Sequence, residues 1–117
     1  MTMLTFIREI DDIEITYVVG KNQSENHPLI QSSEPDDLWF HLADLPSAHV
    51  VAQVAAKTLT EEQEMTMIIK GIEILKMKMK ITEPINVNMC YIKNIICLKE
   101  PGKVGFTEGS EQWLFRH

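Results

Sequence analysis

The sequence predicts an α+β fold, a single domain over residues 1–117 with a mostly antiparallel sheet, one short helix and one long helix. Segments in which apolar and polar residues alternate lie on both sides of one long segment with helical periodicity, an order that is typical of α+β folds. The length of 117 residues suits one hydrophobic core, and 44% apolar with 24% charged residues is ordinary globular composition.

The chain is predicted to open with a hairpin. Strands are expected over 5–8 and 13–19, where apolar side chains alternate with polar ones, and Asp11 and Asp12 form the turn between them. Gly20 ends the second strand.

A short helix is predicted next. Asn22 or Ser24 can cap its first turn, and the helix is expected to continue through residue 30. Residues 32–36 then form a loop, because the residue before Pro35 is disfavoured in the helical region.

The long helix is predicted to begin after Thr60, which forms a capping box with Gln63, and to end before Pro84. A strand over 48–54 precedes it. A helix over 50–57 competes with that strand, because alanine-rich sequence has high helix propensity.

The other strands are predicted from period-two alternation and flanking turn residues. Their ranges are 38–42, 85–92, 95–98, 103–106 and 112–115. Gly109 and Ser110 are expected to form a hairpin turn between the last two.

Residues 37–50 carry the most chemical information in the chain. In a strand, Asp37, Trp39 and His41 point to one face, and the apolar residues 38, 40 and 42 point to the other. The apolar set can enter a core. Trp39 has two open interpretations, a core residue or a platform on which a nucleic-acid base stacks.

Charge is distributed unevenly along the chain. The net charge is −6, which disfavours non-selective binding of polyanions. Residues 1–56 contain two basic residues against nine acidic ones, whereas residues 66–103 contain seven lysines against three glutamates. If a phosphate backbone is bound, the later segment supplies the attraction.

The segment Asp-Leu-Trp-Phe-His, followed by Leu-Pro-Ser-Ala-His-Val, resembles the signature of the NFACT-R domain, an RNA-binding domain of ribosome quality-control factors. Gly20-Lys21-Asn22, with Glu25-Asn26 after it, is similar to the opening motif of that family. Residues 86–88, 93–99 and 103–106 are similar in character to its closing strands. The resemblance covers roughly residues 13–106, and small stand-alone eukaryotic coiled-coil-domain-containing members are the most similar.

The resemblance implies a non-enzymatic module that binds structured RNA, either tRNA or rRNA, in translation or ribosome quality control. The sequence leaves open whether DNA is also bound. It implies no cofactor. Lysines would contact phosphates, and aromatic and imidazole groups would contact bases or riboses. The residues implied in this site, with the lysines expected near both histidines, are Lys21, Asn22, Trp39, His41, His49, Lys93, Lys99 and Lys103.

Two alternatives stay open. One is a module that docks on a protein partner through its acidic first half. The other is a small metal-dependent hydrolase centred on Asp37, His41 and His49. No metal site is predicted, because the sequence lacks the His-x-His, His-Glu-x-x-His and Cys-x-x-Cys spacings.

The sequence also predicts that the protein acts in the cytoplasm or nucleus and not at a membrane. Its apolar runs are far shorter than the roughly 18 residues that span a bilayer, and its first 12 residues lack the pattern of a signal peptide.

Overall fold

Two α-helices pack on opposite faces of a six-stranded antiparallel sheet in the computed structural model, which describes residues 3–117. The helices are α1 (Gln23–Ser32) and α2 (Glu61–Met79). The strands are β1 (Leu4–Ile10), β2 (Ile13–Gly20), β3 (Leu38–Leu42), β4 (His49–Ala52), β5 (Asn86–Tyr91), β6 (Ile95–Cys97), β7 (Val104–Phe106) and β8 (Trp113–Arg116). The predicted α+β fold, with its mostly antiparallel sheet and one short and one long helix, is confirmed.

The six strands lie in the order β1-β2-β4-β3-β5-β8, and every neighbouring pair is antiparallel. β3 and β4 are therefore central, and the signature segment lies in the middle of the sheet. Strands β6 and β7 form a separate hairpin. In the register of β3 with β5, His41 lies opposite Asn88.

The predicted hairpin turn and helix caps are present. Asp11 and Asp12 both have positive φ, 48° and 67°, as a two-residue type I′ turn requires. Of the two candidate caps of α1, Asn22 is the one used, since its side chain accepts from the amide of Glu25. Thr60 and Gln63 form the predicted capping box of α2.

The helix predicted as an alternative over 50–57 is wrong. β4 is hydrogen-bonded on both sides, to β2 and to β3, and buried pairing of this kind outweighs the helix propensity of alanine. The hairpin predicted at Gly109 and Ser110 is also wrong. β7 pairs with β6 and β8 pairs with β5, and this second pairing lets Phe115 of β8 pack against the main core.

The core consists of two clusters, one on each face of the six-stranded sheet. On the face covered by α2, here the α2 face, Phe40 belongs to the larger cluster. On the face covered by α1 and the β6–β7 hairpin, here the α1 face, Trp39 belongs to the smaller cluster. The predicted alternation along β3 is thereby confirmed for these two side chains. Across residues 3–117, neither helix has the length and apolarity needed to cross a bilayer.

Candidate functional site

Three rings of the signature segment form a compact cluster on the α1 face. Trp39 and His41 are stacked with their centroids 5.5 Å apart and their planes 7° from parallel. His49 stands nearly perpendicular to both, at 5.4 Å from Trp39 and 4.9 Å from His41. Trp39 and His49 are each only 1% exposed. Trp39 is therefore a core residue, and the interpretation of its ring as a stacking platform is wrong because no base could reach it.

A hydrogen bond fixes the tautomer of His49. The indole Nε1 of Trp39 donates to Nδ1 of His49 over 3.1 Å, so Nδ1 carries no proton and Nε2 carries the hydrogen of the neutral ring. Burial lowers the pKa of His49 to about 3, and the nearby charges of His41 and His27 contribute in the same direction. His49 is consequently neutral at physiological pH and cannot bind a phosphate as a cation.

His41 differs because it is only half-buried. Its Nδ1 lies 2.6 Å from the carbonyl oxygen of Leu42, and since a carbonyl only accepts, Nδ1 is the donor. Burial lowers the pKa of His41, and this hydrogen bond partly opposes the shift. Nε2 of the neutral ring is left as an acceptor. His41 thus offers an acceptor for a ligand beside a stacked, immobile indole.

A cleft of about 410 Å³ opens next to His41. We call it the α1 cleft. The first turns of α1, the β3–β4 loop, strand β5 and the β6–β7 hairpin form its walls. Its polar lining residues are Gln23, Asn26, His41, Asp44, Ser47, Asn88 and Lys103, and its apolar ones include Leu45, Pro46, Val104 and Phe106.

The loop between β6 and β7 rests on the first turn of α1. Gly102 has φ of 78°, and a Cβ atom at this position would lie 3.3 Å from the Cα atom of Gln23. Nε2 of His27 is also 2.7 Å from the carbonyl oxygen of Lys103. These contacts fix one wall of the α1 cleft.

The same contacts place Lys103 at the α1 cleft, and two other predicted lysines belong to the segments that touch there. Lys21 is two residues before Gln23, and Lys99 and Lys103 flank the loop that touches Gln23. All three side chains are exposed, and none has an acidic partner within residues 3–117. We call Lys21, Lys99 and Lys103 the lysine group.

Lys93 does not belong to this group. Its Nζ lies 2.8 Å from Oδ1 of Asp36 and 5.3 Å from the ring centroid of Tyr91. The hydrogen bond and the charge of Asp36 raise the pKa of Lys93. Lys93 lines a different cleft, beside α2, so the expectation that it lies with the other lysines near the histidines is wrong.

Asn22 has a structural role at the beginning of α1. Its Oδ1 accepts from the backbone amide of Glu25 over 3.1 Å. Glu25 in turn accepts from the backbone amide of Lys21 over 2.7 Å. The carboxylate of the chain itself therefore occupies this helix terminus, and the Asn22 side chain is committed to capping.

Asp37, His41 and His49 do not form a hydrogen-bonded catalytic arrangement. The two oxygens of the buried Asp37 carboxylate accept from the backbone amides of Glu34 and Ala55, over 2.9 and 3.1 Å. Asp37 thereby joins two loops to the beginning of β3. In the part of the chain that the structure describes, no three His, Cys, Asp or Glu side chains are grouped to hold a metal ion.

Sequence reasoning missed two asparagines of the α1 cleft. Asn26 is 3% exposed, and its Oδ1 is buried without a hydrogen-bond partner. Gly20 permits this position, because a Cβ atom there would collide with that oxygen. Asn88 lies opposite His41 on β5. Asn26 belongs to the motif that begins at Gly20, so the sequence contained an indication of its importance. Asn88 could be assigned to the site only from the register of β3 with β5.

A second cleft, of about 650 Å³, lies on the α2 face. We call it the α2 cleft. It is lined mainly by apolar side chains of α2, β5 and the edge strand β8, and Leu114 at its border is 66% exposed.

Comparison with known proteins shows similarity to small eukaryotic proteins named coiled-coil domain-containing protein 25. The protein of Danio rerio is 33% identical over 61 residues, which cover 52% of this chain and 30% of that protein. The Dictyostelium discoideum homolog is 44% identical over 48 residues, covering 41% and 23%. That of Bos taurus is 49% identical over 35 residues, covering 30% and 17%. The matches thus span at most 30% of the length of these relatives. No family model matches the chain.

The fold is shared with a bacterial protein of known structure. The C-terminal part of the fibronectin/fibrinogen-binding protein from Streptococcus suis superimposes with a TM-score of 0.72 and 23% sequence identity. The superposition covers 94% of this chain and 43% of the bacterial chain. At this level of identity the similarity shows a common fold and nothing about ligands.

Proposed function

We propose that this chain is a non-enzymatic nucleic-acid-binding module of the NFACT-R type that binds structured RNA, such as tRNA or rRNA, in translation or ribosome quality control. One observation carries the proposal. The β6–β7 loop rests on the beginning of α1 and places Lys103 in the lining of a cleft that also contains amides and an imidazole, and Lys21 and Lys99 are exposed and close in sequence to this contact. Lysines hold a phosphate backbone, and amides and imidazoles contact bases or riboses.

The uneven charge distribution supports this location. A protein of net charge −6 can attract a polyanion only where its cations are concentrated and unpaired. The acidic turn of the first hairpin is on the other face, where Asp11 accepts from Gln63 of α2. Lys93 is neutralised by Asp36. The lysine group is therefore the proposed phosphate-binding surface.

A salt titration with a matched pair of variants tests the proposal. Binding of labelled tRNA, duplex RNA and duplex DNA is measured at several salt concentrations. The triple variant Lys21→Ala, Lys99→Ala, Lys103→Ala is expected to bind at least tenfold more weakly. Its slope of log affinity against log salt should fall by about 2 to 3, since each phosphate contact contributes roughly 0.7 in single strands and roughly 0.9 in duplex.

The control removes the same charge from the α2 side. It is the triple variant Lys57→Ala, Lys70→Ala, Lys78→Ala, and we expect its affinity and salt slope to stay near those of the wild type. Equal losses in the two folded triple variants would mean that net charge alone attracts RNA. An unchanged affinity in the first triple variant would contradict the proposed surface.

The α2 cleft favours a second candidate function, a module that docks on a protein. Trp113 and Leu114 of the edge strand β8 are 37% and 66% exposed beside it, and contiguous exposed apolar surface often marks an interaction site. Chemical cross-linking in a cell extract tests this candidate. A specific cross-linked protein that Leu114→Asp loses, and that the lysine-group variant retains, is the expected result for docking.

A further inference from the structure

We propose that the α1 cleft receives one unpaired nucleobase of the bound nucleic acid, so that the module distinguishes loops and single strands from continuous duplex. This inference rests on the proposed function and names the chemical group that enters the cleft. The backbone of that nucleotide would lie toward the lysine group, outside the cleft.

The size of the cleft agrees with a single planar ring. Its volume of about 410 Å³ falls within the range of about 300–1,000 Å³ that is common for cavities that bind small molecules. Base-paired duplex is far too wide for such a cavity. Only an unpaired base can therefore enter the α1 cleft. Unpaired bases are found in single-stranded loops, bulges and ends.

The charge of the lining disfavours a phosphate inside the cleft. Lys103 is the cationic lining residue within the described chain, and the carboxylate of Asp44 offsets it. Burial lowers the pKa of His41, which disfavours a positive charge on its ring. The remaining polar groups are amides and a hydroxyl. A lining of this kind suits a neutral ligand that has both donors and acceptors, which is the character of a nucleobase.

Two side chains offer free hydrogen-bonding groups at the cleft, and a third, Asn26, lines it with a buried Oδ1 that has no partner within residues 3–117. Nε2 of His41 is a free acceptor. The side chain of Asn88 makes no hydrogen bond within residues 3–117. Amide side chains can form paired hydrogen bonds with a base edge, and Asn88, which is half-buried, is the residue we assign to base recognition.

The surrounding packing holds these groups in place. His41 is stacked on the buried Trp39, and Phe106 packs edge-on against the same indole at 5.7 Å. Gly20 gives Asn26 the room that any side chain at that position would take. Leu45, 63% exposed, also lines the cleft and provides an apolar surface for a base ring. Trp39 and Gly20 are therefore positioning residues.

The first test compares two RNAs with equal numbers of nucleotides, a hairpin with an open loop and a blunt duplex. We expect wild-type protein to bind the hairpin roughly tenfold more tightly. Asn88→Ala should remove most of this preference, a loss of roughly tenfold, because a bidentate amide–base pair contributes that much discrimination. The salt slope should not change, since an amide releases no counterions.

Asn86→Ala is the matched control. Asn86 lies on the same strand and the same face as Asn88, but its Oδ1 accepts from Arg116 and it is outside the cleft. We expect this variant to retain the preference for the hairpin. Equal loss of preference in both folded variants would overturn the assignment of Asn88.

The second test uses uncharged ligands, which removes the phosphate contribution. Adenosine, cytidine, guanosine and uridine are titrated separately into ¹⁵N-labelled protein, and the side-chain amide resonances of Asn26 and Asn88 are followed by NMR. Shifts with at least one nucleoside support the inference. Shifts with inorganic phosphate and with no nucleoside would overturn it and identify an anion site instead.

The two proposals fail in different ways. If RNA binding depends on the lysine group, but hairpin and duplex bind equally and no nucleoside moves the amide resonances, the cleft inference is overturned and the proposed function stands. If no nucleic acid binds at low salt, the proposed function is overturned, and the nucleoside titration still decides whether the cleft accepts a base.

Discussion

The two faces of the six-stranded sheet are buried with different chemistry. On the α2 face the core is almost entirely apolar, and the hydroxyl of Tyr17 donates its one hydrogen bond there to the carbonyl of Met67 over 2.8 Å. On the α1 face Glu25 and Asn26 of α1, and His49 in contact with Trp39, are all at most 4% exposed. One face therefore gains stability from close apolar packing, whereas the other holds polar groups that must each find a partner.

Two neighbouring residues of β3 have the contrasting surroundings of the two faces. Phe40 fits against Gly71 of α2 so closely that a Cβ atom at Gly71 would lie 2.6 Å from the Phe40 ring. Trp39, one residue earlier, instead shares a hydrogen bond and two ring contacts with histidines. The α2 face is specialised for packing. The α1 face buries less apolar area, and its packing holds His41 against Trp39 beside an open cleft.

Removing the Phe40 ring should destabilise the fold more than any other change considered. Phe40→Ala should lower the free energy of unfolding by about 3–5 kcal/mol, because it leaves a cavity at the centre of the larger cluster. Urea denaturation measures this loss. Phe40→Leu, a milder change that should keep the domain folded, is expected to leave RNA affinity unaltered. A weaker RNA affinity of folded Phe40→Leu protein would show that the two faces are coupled.

Acidification should act chiefly through the α1 face. The pKa of His49 is 6.5 in an unfolded chain and about 3 in the fold, so below pH 6.5 the unfolded state binds a proton that the folded state excludes. Stability is therefore fully present above that pH and is lost as the pH falls. From pH 7 to pH 5 the loss attributable to His49 should be about 2 kcal/mol. The lowered pKa of His41 adds to it.

His49→Asn is the variant that separates His49 from other titrating groups. An asparagine oxygen can still accept from the Trp39 indole but does not titrate. Its free energy of unfolding, measured by urea denaturation at several pH values, should fall less steeply between pH 7 and pH 5. The same pH dependence in wild type and variant would contradict the buried neutral state of His49.

Similar or smaller effects are expected from removing one buried hydrogen bond on each face. Trp39→Phe leaves Nδ1 of His49 without its donor, at a cost of about 1–3 kcal/mol. Tyr17→Phe removes the bond to the Met67 carbonyl, which still belongs to the α2 helix, and should cost about 1 kcal/mol or less. Thermal unfolding of the two variants measures both losses. A larger loss for Tyr17→Phe would reverse the comparison between the faces.

Local patterns predicted the fold well. The alternation along β3, the Asp11–Asp12 turn and the Thr60 capping box each depend on residues close in sequence, and all three are present. Strand pairing depends on residues that are distant in sequence. The predicted hairpin at Gly109 and Ser110 is wrong for this reason, because β7 and β8 pair with other strands. The same limit applies to the site. Asn88 and Lys103 reach the α1 cleft only through tertiary contacts that no local pattern contains.

Lys93 is the clearest case of that limit, and its replacement should change stability and RNA binding least. Lys93 is near Lys99 and Lys103 in sequence, but the 3-10 turn Ile92–Asn94 places it beside Tyr91 and Asp36 at the α2 cleft. Its side chain and that of Asp36 are both largely exposed, and such surface pairs contribute about 0–1 kcal/mol.

Lys93→Ala should therefore change the free energy of unfolding by less than about 0.5 kcal/mol and leave RNA affinity and its salt slope near wild-type values. Lys103→Ala removes the same charge at the α1 cleft, and it should lower the slope by roughly 0.7 to 1. Parallel salt titrations of the two single variants measure this difference. If Lys93→Ala weakened RNA binding as much as Lys103→Ala, the bound RNA would have to extend around the edge of the sheet. The assignment of phosphate binding to the α1 face alone would then be wrong.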